Sequence, residues 1–319
     1  MRERILVTGG AGAIGCHLVR ELSTQHDVLV LDDLSAGFIE NLKGVPVRFW
    51  RASIVDEEIL REVFAERPTI VFHLAANFAN QNSVDYPQKD LLVNGMGTLK
   101  LLQHSVDVQV KRFVYTSSSC VYGNGDGEGS LSESVNEYSL DTPYAVTKLL
   151  GEQYVKFFHE HHELPTVVLR LFNSYGPCEY PGKYRNVIPN FLYRALLDRP
   201  LTITGTGEET RDFTFVGDTV TALRSAMTQA EAVGRVLNVG SGQEMTIREL
   251  AEMVQSVCGV VKPINYVARR PWDTVSRRRA DITQARQILN YEPSVSLEPG
   301  LRTTHRWFLD HDVVRRSVL

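Results

Sequence analysis

The segment Thr8-Gly9-Gly10-Ala11-Gly12-Ala13-Ile14-Gly15 constrains this chain more than any other. It follows an apolar run, Ile5-Leu6-Val7, and leads into a stretch from Ile14 to Leu22 whose apolar residues recur at helical spacing. Gly10, Gly12 and Gly15 thus match GxGxxG in the strand–turn–helix setting that the motif requires. Missing side chains permit a tight turn, let a pyrophosphate approach the backbone, and let helix pack closely on strand. The positive end of the helix dipole then meets the phosphates. A second apolar run, Val28 to Leu31, ends at Asp32 and Asp33. A carboxylate at Asp32 accepts both ribose hydroxyls of a dinucleotide and repels a 2′-phosphate, so the expected cofactor is NAD rather than NADP. The alternative, a glycine turn with a chance acidic loop, does not account for the βαβ setting.

Further short runs, Val47-Arg48-Phe49, Ile70 to His73, Phe113-Val114-Tyr115 and Val167-Val168-Leu169, are separated by helical patterns such as Ile59 to Phe64. That alternation predicts an α/β fold with a doubly wound parallel sheet of Rossmann type, covered on both faces. After Arg170 the chain is punctuated by Gly176-Pro177, Pro181-Gly182 and Gly205-Thr206-Gly207, and another strand is expected at Val236 to Val239. The expected division is a cofactor domain over 1–172, with returning segments near 208–240, and a smaller C-terminal α/β substrate domain over 173–319.

A length of 319 residues suffices for a large core, and 43% hydrophobic with 23% charged residues is ordinary for a globular chain. The net charge of −4 offers no general attraction to nucleic acid or an anionic membrane. Cys16, Cys120, Cys178 and Cys258 lie far apart without a CxxC pair, which suits reduced thiols better than a disulfide framework or a zinc site. With no apolar run of transmembrane length and a first strand close to the start of the chain, the expected location is the cytoplasm.

Tyr144-Ala145-Val146-Thr147-Lys148 is a YxxxK on an expected helix, with phenol and ammonium on one face. A free tyrosine, with a pKa near ~10, is a poor base at neutral pH and needs a neighbouring cation to stabilise its phenolate. On its own the pattern equally describes a packed tyrosine and a solvated lysine. Joined to the glycine fingerprint, Asp32, the HLAA segment His73 to Ala76, and three serines before Val121-Tyr122-Gly123, it resembles the extended short-chain dehydrogenase/reductase family, in its nucleotide-sugar epimerase branch. The likeness runs through nearly the whole chain, including Asn94 with Gly97-Thr98, LRLFNSYGP from Leu169, GEETRDFTFVGD from Gly207, and RPWD with RRRAD from Arg270.

The resemblance implies inversion of C4 of a nucleotide sugar through a transient 4-keto sugar. Tyr144 takes the proton of the sugar hydroxyl while hydride leaves the same carbon for NAD. Lys148 lowers the tyrosine pKa and holds the nicotinamide ribose, and Ser118 hydrogen-bonds the reacting oxygen. It further implies cofactor contacts at Gly9, Gly12, Ala13, Ile14, Gly15, Asp32, Asp33, Ser53, Ile54, Leu74, Ala75 and Ala76. Substrate contacts are implied at Asn94, Ser118, Asn173, Arg211, Arg270 and Asp273, the arginine forks suiting diphosphate oxygens.

Departures narrow the reaction. The dehydratases of the family carry Asp-Glu where this chain has Ser119 and Cys120, and the decarboxylases carry Glu at the second position, so elimination of water lacks its proton shuttle here. Cys120 is either a small filler or an acid/base as in GDP-mannose 3,5-epimerases, which would need Lys183 as partner. A non-catalytic NAD-binding protein is the reading from another class, and retention of Ser118, Tyr144 and Lys148 argues against it. Lys183 and Arg185, in the loop Tyr180 to Asn186, are candidates for a sugar carboxylate, as in UDP-glucuronate. Arg277, Arg278 and Arg279 are expected at the surface. Ala52-Ser53-Ile54 replaces the Gly-Asp-Ile of many relatives, so weaker binding of the adenine is expected. His159, His161 and His162 are spread over more than one helix face and read as a solvated helix end, and no metal is expected. A homodimer through the helices near Asn94 to Val106 and at Tyr144 is implied, with a nucleotide sugar, of UDP type, as the small-molecule partner.

Overall fold

In the computed structural model, which describes residues 2–124, 129–135 and 138–313, seven strands align in one parallel sheet. Their order from one edge is Arg48–Trp50, Asp27–Leu31, Arg4–Thr8, Ile70–His73, Arg112–Ser118, Thr166–Leu171 and Val236–Val239. The expected strands are therefore present, several longer by a residue or more, and the one before the serines runs on to Ser118.

The near-continuous apolar character of these strands follows from burial on both faces. Ile5, Val7, Val28, Val30, Phe72 and Val114 point to one core, and Leu6, Leu29, Leu31, Val71, Phe113 and Tyr115 to the other. Helix Gly15–Leu22 and helix Val216–Thr228 cover the first face. Helices Glu57–Ala65, Thr98–Asp107 and Pro143–His162 cover the second. A third core gathers residues from Tyr175 to Val313, chiefly from helices Val187–Leu196, Ile247–Cys258 and Leu297–Asp310. One feature was not expected: Ala280, Ile282, Ala285, Leu289 and Tyr291 return to the first core, so the chain crosses between lobes more than once.

Strand order reverses between Arg4–Thr8 and its neighbour Ile70–His73. Sheets of this kind bind ligands beyond the carboxyl ends of strands at such a reversal. In register, Thr8 stands beside Leu31 and His73, and His73 beside Tyr115, so the glycine loop, Asp32 and the serines all emerge on that edge.

Candidate active site

A cleft of about 830 Å³ opens on this edge, between the sheet and the third core. Its glycine-lined end is built by close backbone approach. Gly9 has φ of +72°, and a Cβ there would lie 2.7 Å from the backbone nitrogen of Ala75. A Cβ on Gly15 would meet the Gly9 carbonyl oxygen at 2.1 Å. These two glycines let the loop, the helix and the Leu74–Ala76 segment pack together, and the backbone of Gly12, Ala13 and Ile14 faces the cleft. Asp32 is buried, accepting from the Ala11 amide at 2.9 Å and the Leu34 amide at 2.8 Å. Burial raises its pKa against those bonds, and each oxygen keeps a lone pair for the cleft. Asp33 accepts from the Ser35 amide at 2.8 Å, and Asp33, Ser53, Ile54, Leu74, Ala75 and Ala76 all line the same space. A bare backbone cradle, a carboxylate and a slot floored by Ile54 fit a dinucleotide.

The opposite wall carries the start of helix Pro143–His162. Its first residue is proline, which lacks the amide a helix start would leave unpaired, and Thr142 caps it by accepting from the Ala145 amide at 3.3 Å. The Ser83 hydroxyl accepts from the Tyr144 amide at 3.0 Å, which fixes the phenol one turn before Lys148. Both side chains line the cleft. Burial first, then the charges near Cys120 and Asp90, raises the Tyr144 pKa; the Ser118 hydroxyl, in hydrogen-bonding reach, lowers it. Lys148 donates to the Thr116 carbonyl at 2.9 Å, and its Nζ lies 5.8 Å from the centre of the Tyr144 ring. Burial pushes its pKa down to about 8, against the pull of Asp90 and Glu152.

The serines divide by strand alternation. Ser117 turns to Glu152, donating at 2.5 Å, and Glu152 holds Arg170 through both carboxylate oxygens at 2.9 and 2.7 Å. Ser118 ends the strand at the cleft, accepting from the Cys120 amide at 3.2 Å. The thiol of Cys120 lines the cleft and accepts from the Asn80 amide at 3.5 Å and the Arg278 guanidinium at 3.6 Å.

Asn94 differs from its expected place. The helical segment from Pro87 to Asp107 contains a π-helical stretch, Leu91–Gly97, which turns Asn94 inward. Its side chain is buried outside the cleft lining, donating to Asp90 at 3.0 Å and Thr147 at 3.2 Å and accepting from the Asn77 amide at 2.7 Å. Every polar atom of Asn94 is spent on wall construction. Asp90, fully buried against helix Pro143–His162 and bonded by Thr147 at 2.5 Å, was not singled out from sequence because nothing local marks it. His73 is also structural. Thr98 donates to the Asn94 carbonyl at 2.6 Å, which leaves His73 Nε2 to donate to Thr98 and Nδ1 to accept from Thr8, each at 2.9 Å. Burial and Lys148 lower its pKa and keep it neutral.

Asn173, Arg211, Arg270 and Asp273, the residues expected at the substrate, also line the cleft. Arg211 lies 3.6 Å from Asp273, and burial together with the charge of Arg278 lowers its pKa to about 10. Arg277 pairs with Glu244 at the surface, as expected. Arg278 does not behave as a surface residue: it is buried, lines the cleft and donates to the Gly123 carbonyl at 2.9 Å. Arg211, Arg270 and Arg278 all line the cleft and, among the described residues, of the three only Arg211 is paired with a carboxylate, Asp273; that excess of guanidinium charge fits a diphosphate. The two loop cations are placed otherwise. Both line the cleft, but Arg185 donates to the Ala36 carbonyl at 2.5 Å, and exposed Lys183 pairs with Asp85 at 2.8 Å.

A model of the NAD dependent epimerase/dehydratase family matches residues 5–240. The chain belongs to that family. An epimerase structure from the methanogen Methanothermobacter thermautotrophicus superposes with a TM-score of 0.95 at 47% identity, covering 99% of this chain and 95% of the other. UDP-glucose 4-epimerase from Thermotoga maritima, solved with UDP-glucose, superposes with a TM-score of 0.92 at 36% identity, covering 97% and 99%. The family's reactions are mixed: dTDP-glucose 4,6-dehydratase of Neisseria gonorrhoeae is 31% identical over 99% of this chain and 98% of its own. The cofactor is NAD, as the family description states. Among the described residues, no helix is long and apolar enough to cross a membrane.

Proposed function

We propose that this family member is an NAD-dependent 4-epimerase of a nucleotide hexose. The observation that carries the reading is the wall on which Ser118, Tyr144 and Lys148 converge while the neighbouring Ser119 and Cys120 supply no carboxylic acid. Bound NAD supplies the hydride acceptor. Tyr144 Oη takes the proton of the C4 hydroxyl, Ser118 Oγ donates to the same oxygen as it becomes a carbonyl, and the Lys148 ammonium favours the phenolate. Arg211, Arg270 and Arg278 hold the diphosphate, leaving the 4-keto sugar free to turn and offer its other face. Asn173 and Asp273 position the remainder of the nucleotide sugar.

Lys183 is paired with Asp85, which takes one of the two cations proposed for a sugar carboxylate out of that role, while Arg185, bonded to the neutral Ala36 carbonyl, keeps its charge at the cleft and leaves UDP-glucuronate as the second reading after a neutral sugar. The same pairing holds Lys183 away from the role of partner to Cys120 in a 3,5-epimerase. A homodimer is part of the proposal, supported by exposed Leu91, Leu92 and Met96 on one helix and Val146 and Phe157 on the catalytic helix. The test is incubation of UDP-glucose, UDP-galactose, UDP-N-acetylglucosamine and UDP-glucuronate with wild type and Tyr144→Phe, with products identified by NMR. Interconversion of a neutral pair, lost in the variant, is expected. Loss of water or carbon dioxide from the sugar, or full activity in Tyr144→Phe, would sink the reading.

A further inference from the structure

Away from the chemistry just described, the Gly15–Leu22 helix and the chain after Gly176 meet at a group that the reaction does not use. Cys16 and His17, in the first turn of the helix, and Cys178, in the facing loop, bring their donor atoms within 4.8 Å of one another. It is the only group of three such donors among the described residues at that spacing. We infer that Cys16, His17 and Cys178 form a binding site for a thiophilic divalent ion of the zinc class, at the seam between the cofactor-binding helix and the substrate lobe.

Donor chemistry supports this. Two thiolates and an imidazole are the ligands that borderline-soft ions select, and three protein ligands leave one position for water. The second requirement of such a site, an anchored histidine, is also met. His17 Nε2 lies 3.0 Å from the Pro177 carbonyl, so it donates there and Nδ1 is the nitrogen free to coordinate. Cys16 is buried and Cys178 and His17 are partly exposed, which leaves a path for entry. The Cys16 thiol has a long contact to the Ala13 carbonyl, 3.7 Å, and lies in hydrogen-bonding reach of the Cys178 sulfur, a pairing that a shared ion would replace. Two thiolates and a divalent ion make a neutral centre, an acceptable charge for a half-buried seam. The wide separation of the cysteines in sequence, which argued against a zinc site, conceals that the fold brings two of them together.

Such an ion would tie the helix whose amino end faces the cofactor phosphates to the segment that continues into the Tyr180–Asn186 loop over the cleft. It would act as a clasp between the two walls.

The test uses full-length protein, reduced and stripped of metal, titrated with cobalt(II) under anaerobic conditions and then with zinc in competition with a chromogenic chelator. The expected result is one equivalent of cobalt with a thiolate-to-metal charge-transfer band and the visible absorption of a tetrahedral site, displaced by zinc. Cys178→Gly, chosen because Cys178 has φ of +69°, should weaken zinc binding by more than about 100-fold, beyond the loss typical of supporting residues. Cys16→Ser should do the same, and Cys258→Ser should change nothing. Zinc should raise the melting temperature of wild type and not of Cys178→Gly. A wild type without the charge-transfer band, a band that survives in folded Cys178→Gly, or a Cys16–Cys178 disulfide that forms in preference to metal binding would overturn the inference.

Discussion

Replacing Lys148 by methionine removes a charge 5.8 Å from the Tyr144 ring while keeping an unbranched side chain one atom shorter. At the effective dielectric of about 20 that describes protein sites, a unit charge at that distance is worth about 3 kcal/mol to a phenolate. That corresponds to roughly two units of tyrosine pKa, and so to a phenolate fraction about 100-fold smaller at neutral pH. Burial holds the tyrosine above its ordinary value already, so the loss should appear almost wholly in the rate. The sign with pH follows from Lys148 itself, whose pKa burial brings down to about 8. Below that value the ammonium is present and the wild-type advantage is full. Above it the advantage should shrink by about tenfold per pH unit as both proteins come to lack the cation. The assay is kcat/KM for epimerisation from pH 6 to 10 at saturating NAD, with thermal melts to show that both proteins fold. A loss under about fivefold at pH 7, or one that does not change with pH, would refute the electrostatic role and leave only positioning.

Glu152→Gln should strand the buried Arg170 guanidinium without its counter-charge, at a cost of about 3–5 kcal/mol. Spread over 319 residues, that is a fall of roughly 4–7 °C in melting temperature by calorimetry, and a change under a degree would contradict it. Ser53→Asp should turn a neutral contact with the adenine amine into a charged one worth about 1 kcal/mol more, or about fivefold in NAD affinity by titration calorimetry. Unchanged or weaker binding would place the adenine elsewhere. Leu92→Glu should divide the proposed dimer into monomers by light scattering, and a wild type that already runs as a monomer would dispose of that part of the account.

Much of the cofactor end was legible because its signals are local. The glycine spacing, the apolar runs and the acidic residue after the second strand each follow from backbone requirements that adjacent residues reveal, and Ile70–His73 was bounded to the residue. Helix Pro143–His162 was open in part, from the YxxxK spacing that sets Tyr144 and Lys148 on one face, while its start at Thr142 and Pro143 was not read. What sequence did not reveal depends on contacts between distant segments. Arg278 sits in a basic run that reads as solvated, yet the return of Ala280 and Ile282 to the first core carries it inside. Asp90 and Asn94 exchange hydrogen bonds through a π-helical stretch that no residue pattern announces. Asn94 was therefore expected at the substrate when its atoms are spent on the wall. Lys183 and Arg185 lay in a loop whose composition suggested a carboxylate, and only the fold shows Asp85 and Ala36 waiting for them.

In the proposed reaction hydride leaves C4 and returns to it within one active site. UDP-glucose carrying deuterium at C4, turned over in ordinary water with catalytic NAD, tests it by NMR. The account predicts that deuterium stays at C4 in both epimers, with no solvent hydrogen entering C3, C4 or C5. Loss of the label from C4 would contradict the return of hydride to the same carbon, and solvent exchange at C3 or C5 would move the chemistry to Cys120.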